Sequence, residues 1–216
     1  MLCTHLVCLG ERTPSLGMKD LVILVADNSM RVMVEALLGR TESLGIRPVT
    51  ADVFVHMHRD PGVLRESGEF LRPLAGQYSY ALAMFDRHGC GRSDGAAALA
   101  QRVQEQLDLT GWVQRSRVVV LDPELETWVW SDSPHVASIL GMSHTALEDL
   151  LVEQYGSRGH IKRTCPKEAM KEVLRRSRTP RSSSLYQEVA QRVGLRRCTD
   201  PAFASFKACL REWFPR

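Results

Sequence analysis

Up to residue 132 the chain alternates between runs of apolar β-forming residues and amphipathic helical patterns. The first run, residues 21–26, is continuously apolar, which is typical of a strand buried on both faces of a sheet. This alternation of strand and helix predicts an α/β fold, in which a parallel sheet is covered by helices on both faces. The predicted strands are 21–26, 48–56, 80–85 and 117–121, and the helices between them carry apolar stripes at Met30, Val34, Leu37 and Leu38, at Leu64 and Leu71, and at Leu99, Val103 and Leu107.

Residues 133–216 contain helical patterns and no strand signal. The last pattern is the clearest, because four large apolar residues recur at helical spacing and form one stripe. These are Phe203, Phe206, Leu210 and Trp213. We therefore predict an α/β core over residues 18–132 and a helical annex over 133–216 that packs on it. Residues 1–17 show no period, and we predict that they are a disordered leader or a mis-assigned start, with Met18 as the natural first residue.

The composition excludes some classes of protein. The 216 residues are 44% hydrophobic and 25% charged, as in soluble globular proteins. The longest aliphatic run is far shorter than the roughly 20 residues of a membrane span, and no secretory pattern opens the chain. The six cysteines form no CxxC pair, so reduced thiols are the default. We predict a cytoplasmic protein with no membrane partner.

Charge is distributed unevenly along the chain. Residues 151–216 contain 15 Lys and Arg against 6 Asp and Glu, although the whole chain has a net charge of only +3. Such a basic region can contact the backbone of a nucleic acid, and DNA is the partner we consider. An acidic partner protein and ordinary solvated helix faces are the alternatives. The candidate nucleic-acid-binding residues are Lys162, Arg163, Lys167, Lys171, Arg175 and Arg176.

Acidic residues follow three of the predicted strands. Asp27 follows the first, Asp86 the third, and Asp122 the fourth, with Glu124 and Glu126 just beyond. Parallel strands end at one edge of their sheet, so these carboxylates are expected to converge there. Closely spaced carboxylates need a cation or raised pKa values, and Mg²⁺ prefers such oxygen ligands. The alternative is helix capping, in which Asp27 and Asp122 are N-caps and Pro123 is the first residue of a helix.

Several motifs resemble those of the Toprim-like family of uncharacterised bacterial proteins found in defence gene neighbourhoods. The most specific is "PELETWVWSD" (123–132), which follows the fourth predicted strand. Two later stretches support it, "CPKEAMKEVL" (165–174) and "CTDPAFASFKACL" (198–210). The resemblance runs from about Lys19 to the end of the chain, and it implies a Toprim-like sheet with a C-terminal helical annex.

The resemblance also implies a set of metal ligands. The family's first acid falls on Asp27, its Asp-x-Asp on Asp86 and His88, and its Glu-x-Glu on Glu124 and Glu126. Two positions depart from the family pattern. Asp27-Asn28 stands where Glu-Gly is usual, and His88 replaces the second Asp. Imidazole suits Zn²⁺ or Mn²⁺ better than Mg²⁺, so the departures indicate an altered or inactive site. The cofactor that the acids imply is Mg²⁺ or Mn²⁺.

The function implied by the resemblance is a component of a bacterial antiviral (anti-phage) defence system. In one interpretation the altered acids are structural, and the chain is an assembly or regulatory subunit whose partners are other defence proteins. In the alternative the chain is a Mg²⁺- or Mn²⁺-dependent nuclease. Glu124 and Glu126 are then its catalytic residues, and the basic annex positions DNA.

A second candidate for metal binding is the "HMH" stretch, which places His56 and His58 on one face of a strand. No other histidine or cysteine pair has the spacing that would complete a tetrahedral site. We therefore interpret both residues as loop or core histidines.

Overall fold

A computed structural model describes residues 17–195 and 198–216, and its core is a sheet of four parallel strands. The strands lie in the order β2-β1-β3-β4. They are β1 (Lys19–Val25), β2 (Ala51–Val55), β3 (Tyr78–Asp86) and β4 (Ser116–Leu121). The predicted α/β fold is confirmed: a parallel sheet is flanked by helices, and further helices follow it, as in a Toprim-like core with a C-terminal annex.

The central position of β1 explains its sequence. Residues Leu21–Val25 have no exposed surface, because β2 and β3 pair with β1 on its two sides and helices cover both faces. Strand β2 lies at an edge of the sheet, and Phe54 and Val55 are exposed there. A strand enclosed on all sides is continuously apolar, whereas an edge strand can be mixed.

The helices of the core lie on opposite faces of the sheet. They are α1 (Asn28–Leu38), α2 (Thr41–Leu44), α3 (Arg59–Leu71) and α4 (Ala96–Leu107), and short helical turns occur at Arg72–Leu74, His88–Cys90, Asp108–Trp112 and Leu125–Trp128. Helices α3 and α4 pack against each other on one face, and α1 covers the other. This division follows from right-handed crossovers, because β1 connects to β2 on one side and β3 connects to β4 on the other.

The C-terminal third is helical, as predicted. Its helices are α5 (His135–Ile139), α6 (His144–Tyr155), α7 (Arg158–Thr164), α8 (Pro166–Ser177), α9 (Ser183–Arg192) and α10 (Pro201–Trp213). Helix α9 packs on α1, and α10 packs on β4. The predicted stripe of α10 is buried, and Trp213 stacks on Tyr80 of β3 with 4.7 Å between ring centroids. A boundary at residue 132 stays a prediction.

The segment after β4 differs from the prediction. No α-helix begins at Pro123; residues 122–123 form a bend, and Glu124, which has extended backbone angles, precedes the turn Leu125–Trp128. Asp122 is not an N-cap, because its carboxylate accepts a hydrogen bond from Arg87 Nε at 2.6 Å. The short turn is held by its neighbours in the annex instead: Trp128 Nε1 donates to Asp200 Oδ1 and Trp130 Nε1 to the Pro166 carbonyl, both at 2.8 Å.

Within the described residues, no helix combines the length and the apolar character that crossing a bilayer requires. The predicted leader, apart from Gly17, falls outside the residues that the structure describes.

Candidate metal centre

Three carboxylates meet at the C-terminal edge of the sheet. Asp86 is the last residue of β3, and Glu124 and Glu126 belong to the segment that follows β4. One oxygen of each lies within 4.8 Å of the others. The Leu125 N–H donates to Asp86 Oδ1 at 2.9 Å, which holds the two segments together. The glutamates are 7% and 2% exposed, so the group is enclosed by protein.

Two further aspartates lie beside this group. Asp60, in the first turn of α3, accepts a hydrogen bond from the Asp86 N–H at 2.7 Å. Asp27 follows β1, and its carboxylate accepts from the Met30 N–H at 2.9 Å, so it caps α1. It is also close enough to raise the pKa values of Asp60 and Asp86. Asp27 is therefore both the N-cap of α1 and a member of the acidic group. We call Asp27, Asp60, Asp86, Glu124 and Glu126 the rim cluster.

The annex supplies the polar partners of the two glutamates. Glu124 accepts from the backbone N–H of Lys167 at 3.1 Å and lies 3.4 Å from its Nζ. Glu126 Oε1 accepts from Arg181 Nη2 at 2.6 Å and from the Tyr186 hydroxyl at 2.7 Å. Formally, two cationic side chains face five carboxylates, so the rim cluster retains an excess of negative charge.

That excess is reflected in the carboxyl pKa values. Burial raises the pKa of Asp86 well above its ordinary value of 3.8, and the charges of Asp60 and Glu126 raise it further. Burial is also the largest cause of the raised pKa of Asp60. For Glu124, burial and then the charge of Glu126 raise the pKa more than Lys167 lowers it. Carboxyl groups in this condition take up protons or a cation.

The pKa values of two annex partners, Lys167 and Tyr186, are raised as well. Burial alone would lower the pKa of Lys167, but the carboxylates of Glu126, Glu124 and Asp86 raise it. The pKa of Tyr186 is raised by burial and by Glu126, so its hydroxyl stays protonated and donates to that carboxylate.

The rim cluster lies where the direction of the sheet connections reverses. From β1 the chain proceeds to β2 on one side, whereas β3 proceeds to β4 on the other. Asp27 and Asp86 follow the two strands that flank this switch point, where open α/β sheets bind their ligands. The buried group of Asp86, Glu124 and Glu126 can hold a metal ion, since carboxylate oxygens are the ligands that hard divalent cations prefer.

His88 lies outside the rim cluster, contrary to its prediction as a ligand. It is exposed in the turn after β3, and its Nε2 lies 3.0 Å from Arg87 Nη2. The His88 N–H donates to the Pro123 carbonyl at 3.1 Å. The neighbour of the imidazole is therefore the Arg87 guanidinium and not a carboxylate of the rim cluster.

Asp60 is a member of the rim cluster that the sequence did not single out as a ligand. It comes after β2, as the other acids come after their strands, and this position is the signal that could have indicated it.

The predicted nucleic-acid-binding residues do not form one surface. Lys162 and Arg163 line a surface groove of about 830 Å³, whereas Lys171 and Arg175 line a separate, shallower one of about 330 Å³. Arg175 and Arg176 both pair with Glu172 at 2.8 Å, and Lys167 is engaged by Glu124. The larger groove is mixed in charge, because Arg87 and Arg158 share it with Asp122, Asp132 and Asp200.

Comparisons of the chain with protein-family models, with curated proteins and with solved structures found no match. The resemblance to Toprim-like proteins stays a prediction carried by the motifs.

Proposed function

We propose that the rim cluster binds Mg²⁺ or Mn²⁺ and that the protein hydrolyses phosphodiester bonds in a nucleic acid. The observation that carries this proposal is the convergence of acids from the ends of all four strands at the switch point of the sheet, with raised pKa values at Asp60, Asp86 and Glu124. A divalent ion held there would polarise a phosphoryl oxygen and supply an activated water.

Asp60 strengthens this proposal, because it adds a carboxylate to the ligand set that the sequence predicts. The departure at His88 removes one acid from the expected ligand set, and Asp60 adds one beside Asp86. The number of carboxylates near Asp86 is therefore maintained, although they come from different strands. A degenerate site would be expected to lose acids rather than to exchange them.

Lys167 and Arg181 have a second role in this proposal. Both are long side chains with part of their surface exposed, at 36% and 40%, and both now contact the glutamates of the rim cluster. An ion that binds Glu124 and Glu126 reduces the attraction between these side chains and the carboxylates. Each is then available to contact a phosphate and to stabilise the charge that develops on it.

The cellular setting that we propose is bacterial antiviral defence. Support for it comes from the motif resemblance of residues 123–132, 165–174 and 198–210. Its partners would then be other proteins of the same defence system, and the nucleic acid would be DNA.

A second candidate is an assembly or regulatory subunit without catalytic activity, and one observation favours it. Both glutamates already have donors from the annex, and Glu126 is only 2% exposed. In that case Lys167 and Arg181 take the place of a metal ion and fasten the annex to the sheet.

The decisive experiment measures metal binding and cleavage on the same preparations of the full chain. Chelator-treated protein is melted with and without millimolar Mg²⁺ or Mn²⁺, since an ion that binds only the folded state raises Tm. Supercoiled and single-stranded DNA are then offered as substrates. The variants are Asp86→Asn and Glu124→Gln, which keep side-chain volume, and Glu172→Gln on the annex surface is the control.

We expect the metal-dependent Tm increase and the cleavage in the wild-type and in the Glu172→Gln control, and neither in the two site variants. An increase in Tm without cleavage of either DNA would support the metal centre and refute cleavage of these substrates. No increase in Tm with either ion would refute the metal centre and favour the subunit interpretation, in which Lys167 and Arg181 take the place of the ion.

A further inference from the structure

A second group of potential ligands lies beyond the end of β2 and is separate from the rim cluster. His56 follows the strand, His58 lies two residues later, and Glu66 projects from α3. One ligand atom of each lies within 4.8 Å of the others. We call these three residues the histidine cluster. Glu66 of α3 is the third ligand that the spacing of the histidine pair alone does not reveal.

The spacing within the histidine cluster matches the coordination of a small metal ion. Glu66 Oε2 lies 3.4 Å from His56 Nε2 and 3.3 Å from His58 Nδ1. In a tetrahedral site with metal–ligand bonds of about 2.0–2.1 Å, neighbouring ligand atoms are about 3.3 Å apart. Two of the three separations therefore already match a shared ion, and the third, between the two imidazoles, is no more than 4.8 Å.

Packing fixes the most buried of these ligands. His56 is 3% exposed, and the backbone of α3 at Gly62 lies directly against its Nδ1 edge. Phe70 lies beside the ring, with 5.5 Å between centroids. The Nε2 edge is thereby directed at Glu66. His58 and Glu66 have side chains that are 58% and 44% exposed, so an ion can enter from solvent.

We propose that His56, His58 and Glu66 form a binding site for zinc or a similar late first-row divalent ion. Two imidazoles and one carboxylate suit Zn²⁺, Co²⁺ or Ni²⁺ and do not suit Mg²⁺. The solvent side leaves a position for water, as in sites with three protein ligands. The site is independent of the function proposed for the rim cluster, which offers oxygen ligands alone.

One contact opposes binding and limits its strength. The His58 N–H donates to His56 Nδ1 at 3.1 Å, so neutral His56 carries its proton on Nε2. Coordination through Nε2 moves that proton to Nδ1, where it faces the donating N–H. The hydrogen bond must then break and the backbone at His58 must turn. We therefore expect a weaker site than a closed structural zinc site with four ligands.

The test uses chelator-treated full chain and Co²⁺, which reports its own coordination by visible absorption, followed by displacement with Zn²⁺. The variants are His58→Gln and Glu66→Gln, because both positions are exposed enough to tolerate the change. His135→Gln, at another exposed histidine, is the matched control. A Glu124→Gln and Glu126→Gln double variant tests whether the ion goes to the rim cluster instead.

We expect Co²⁺ bound through nitrogen ligands and displaced by Zn²⁺ in the wild-type, in His135→Gln and in the rim double variant. The stoichiometry should be one Co²⁺ per chain in the rim double variant, where the carboxylate site is removed. Either site variant should weaken binding by at least about 100-fold, since loss of even an outer partner of a metal ligand costs about 10- to 100-fold. Binding of equal strength in the site variants would refute the proposal, as would the intense near-ultraviolet absorption of cobalt–thiolate ligation or the absence of any Co²⁺ spectrum.

Discussion

The rim cluster and the histidine cluster lie at the same edge of one sheet, yet they are assembled differently. The rim cluster gathers acids from the ends of four strands, and its donors come from α8, α9 and the loop between them. The histidine cluster is local, because a single strand end and the helix after it supply all three side chains. The first is buried and carries an excess of negative charge. The second is open to solvent at His58 and Glu66, and within the described part of the chain its ion-pair contacts include no annex residue.

The two clusters therefore depend on different parts of the fold. The glutamates of the rim cluster have their polar partners only when the sheet and the annex are both in place, so they take part in stability as well as in the proposed ion binding. The histidine cluster depends on the packing of α3 against the end of β2, and its exposed members contribute little to stability. Changes at the two clusters should therefore have different sizes and different responses to pH.

The largest effect is expected for Arg181→Ala. This change leaves the carboxylate of Glu126 with no cation at 2.6 Å while it stays 2% exposed. Breaking a fully buried ion pair costs about 3–5 kcal/mol, and because the Arg181 side chain is 40% exposed we expect a loss of about 2–3 kcal/mol. Urea unfolding at neutral pH, without divalent ions, measures the change.

Arg175→Ala is the matched control for that measurement. Arg175 also pairs with a glutamate, Glu172, but its side chain is 70% exposed. Exposed pairs contribute about 0–1 kcal/mol, so the loss should be small. Equal losses in the two variants would mean that the annex does not depend on Glu126 for its attachment to the sheet.

An intermediate effect is expected for Gly62→Ala in α3. A Cβ at this position would lie 2.1 Å from His56 Nδ1 and 2.7 Å from the His58 Cβ. Alanine normally improves a helix by about 0.5–1 kcal/mol over glycine. Overpacking costs about 1–3 kcal/mol, so the clash prevails and we expect a net loss of about 1–2 kcal/mol by thermal or urea unfolding. Co²⁺ binding should weaken in parallel.

Gly76→Ala is the control, because a Cβ there would have no heavy atom within 4 Å. Its stability should change by less than about 0.5 kcal/mol, as at ordinary surface positions. A Gly62→Ala protein as stable as this control would show that the His56 ring moves freely and is not fixed by α3.

Much of the fold follows from the hydrophobic pattern, because burial on both faces requires a continuous apolar run and an amphipathic helix requires a stripe. The rim cluster was predictable for Asp27, Asp86, Glu124 and Glu126, since parallel strands end at one edge. The orientation of side chains beyond the end of a strand was not predictable from the sequence. His88 is exposed, with its Nε2 beside Arg87 and its N–H bonded to the Pro123 carbonyl, and a single sequence does not fix these contacts.

The contacts between the annex and the rim cluster were also not predictable from the sequence. Lys167 was assigned to a nucleic-acid surface because its neighbours are basic, yet it faces Glu124. Tyr186 was not singled out, although its hydroxyl lies 2.7 Å from Glu126. Such pairs join residues about 40–60 positions apart, and they depend on how helices pack rather than on any local period.

A smaller effect, which depends on pH, is expected for Asp86→Asn in the absence of divalent ions. The folded-state pKa of Asp86 is raised above the ordinary 3.8 by burial and by Asp60 and Glu126. A raised carboxyl pKa gives a contribution to stability that is complete below the unfolded value and is lost as pH rises through the folded value. Asparagine resembles the protonated acid and can still accept from the Leu125 N–H. The free energy of unfolding of the variant should therefore increase relative to that of the wild-type as pH rises above about 3.8.

Urea unfolding at several pH values measures this difference, and Asp132→Asn at an exposed position is the control. A saturating divalent ion should reverse the order at neutral pH, because it stabilises only the wild-type. A constant difference between wild-type and Asp86→Asn at all pH values would contradict the description of Asp86 as a carboxyl that resists ionisation.

The smallest effect is expected for Glu66→Gln in metal-free protein. The Glu66 side chain is 44% exposed, its contacts to the two histidines are 3.3 Å or longer, and exposed polar pairs of this kind contribute little. We expect the free energy of unfolding to change by less than about 0.5 kcal/mol, as for Glu69→Gln one turn later on α3. The two variants should then differ only when Co²⁺ or Zn²⁺ is added, because the histidine cluster binds the ion in the Glu69→Gln protein and the ion therefore stabilises that protein more than Glu66→Gln. A loss above about 1 kcal/mol without metal would mean that Glu66 is a structural partner of the histidines, and that their geometry serves the packing of α3 rather than an ion.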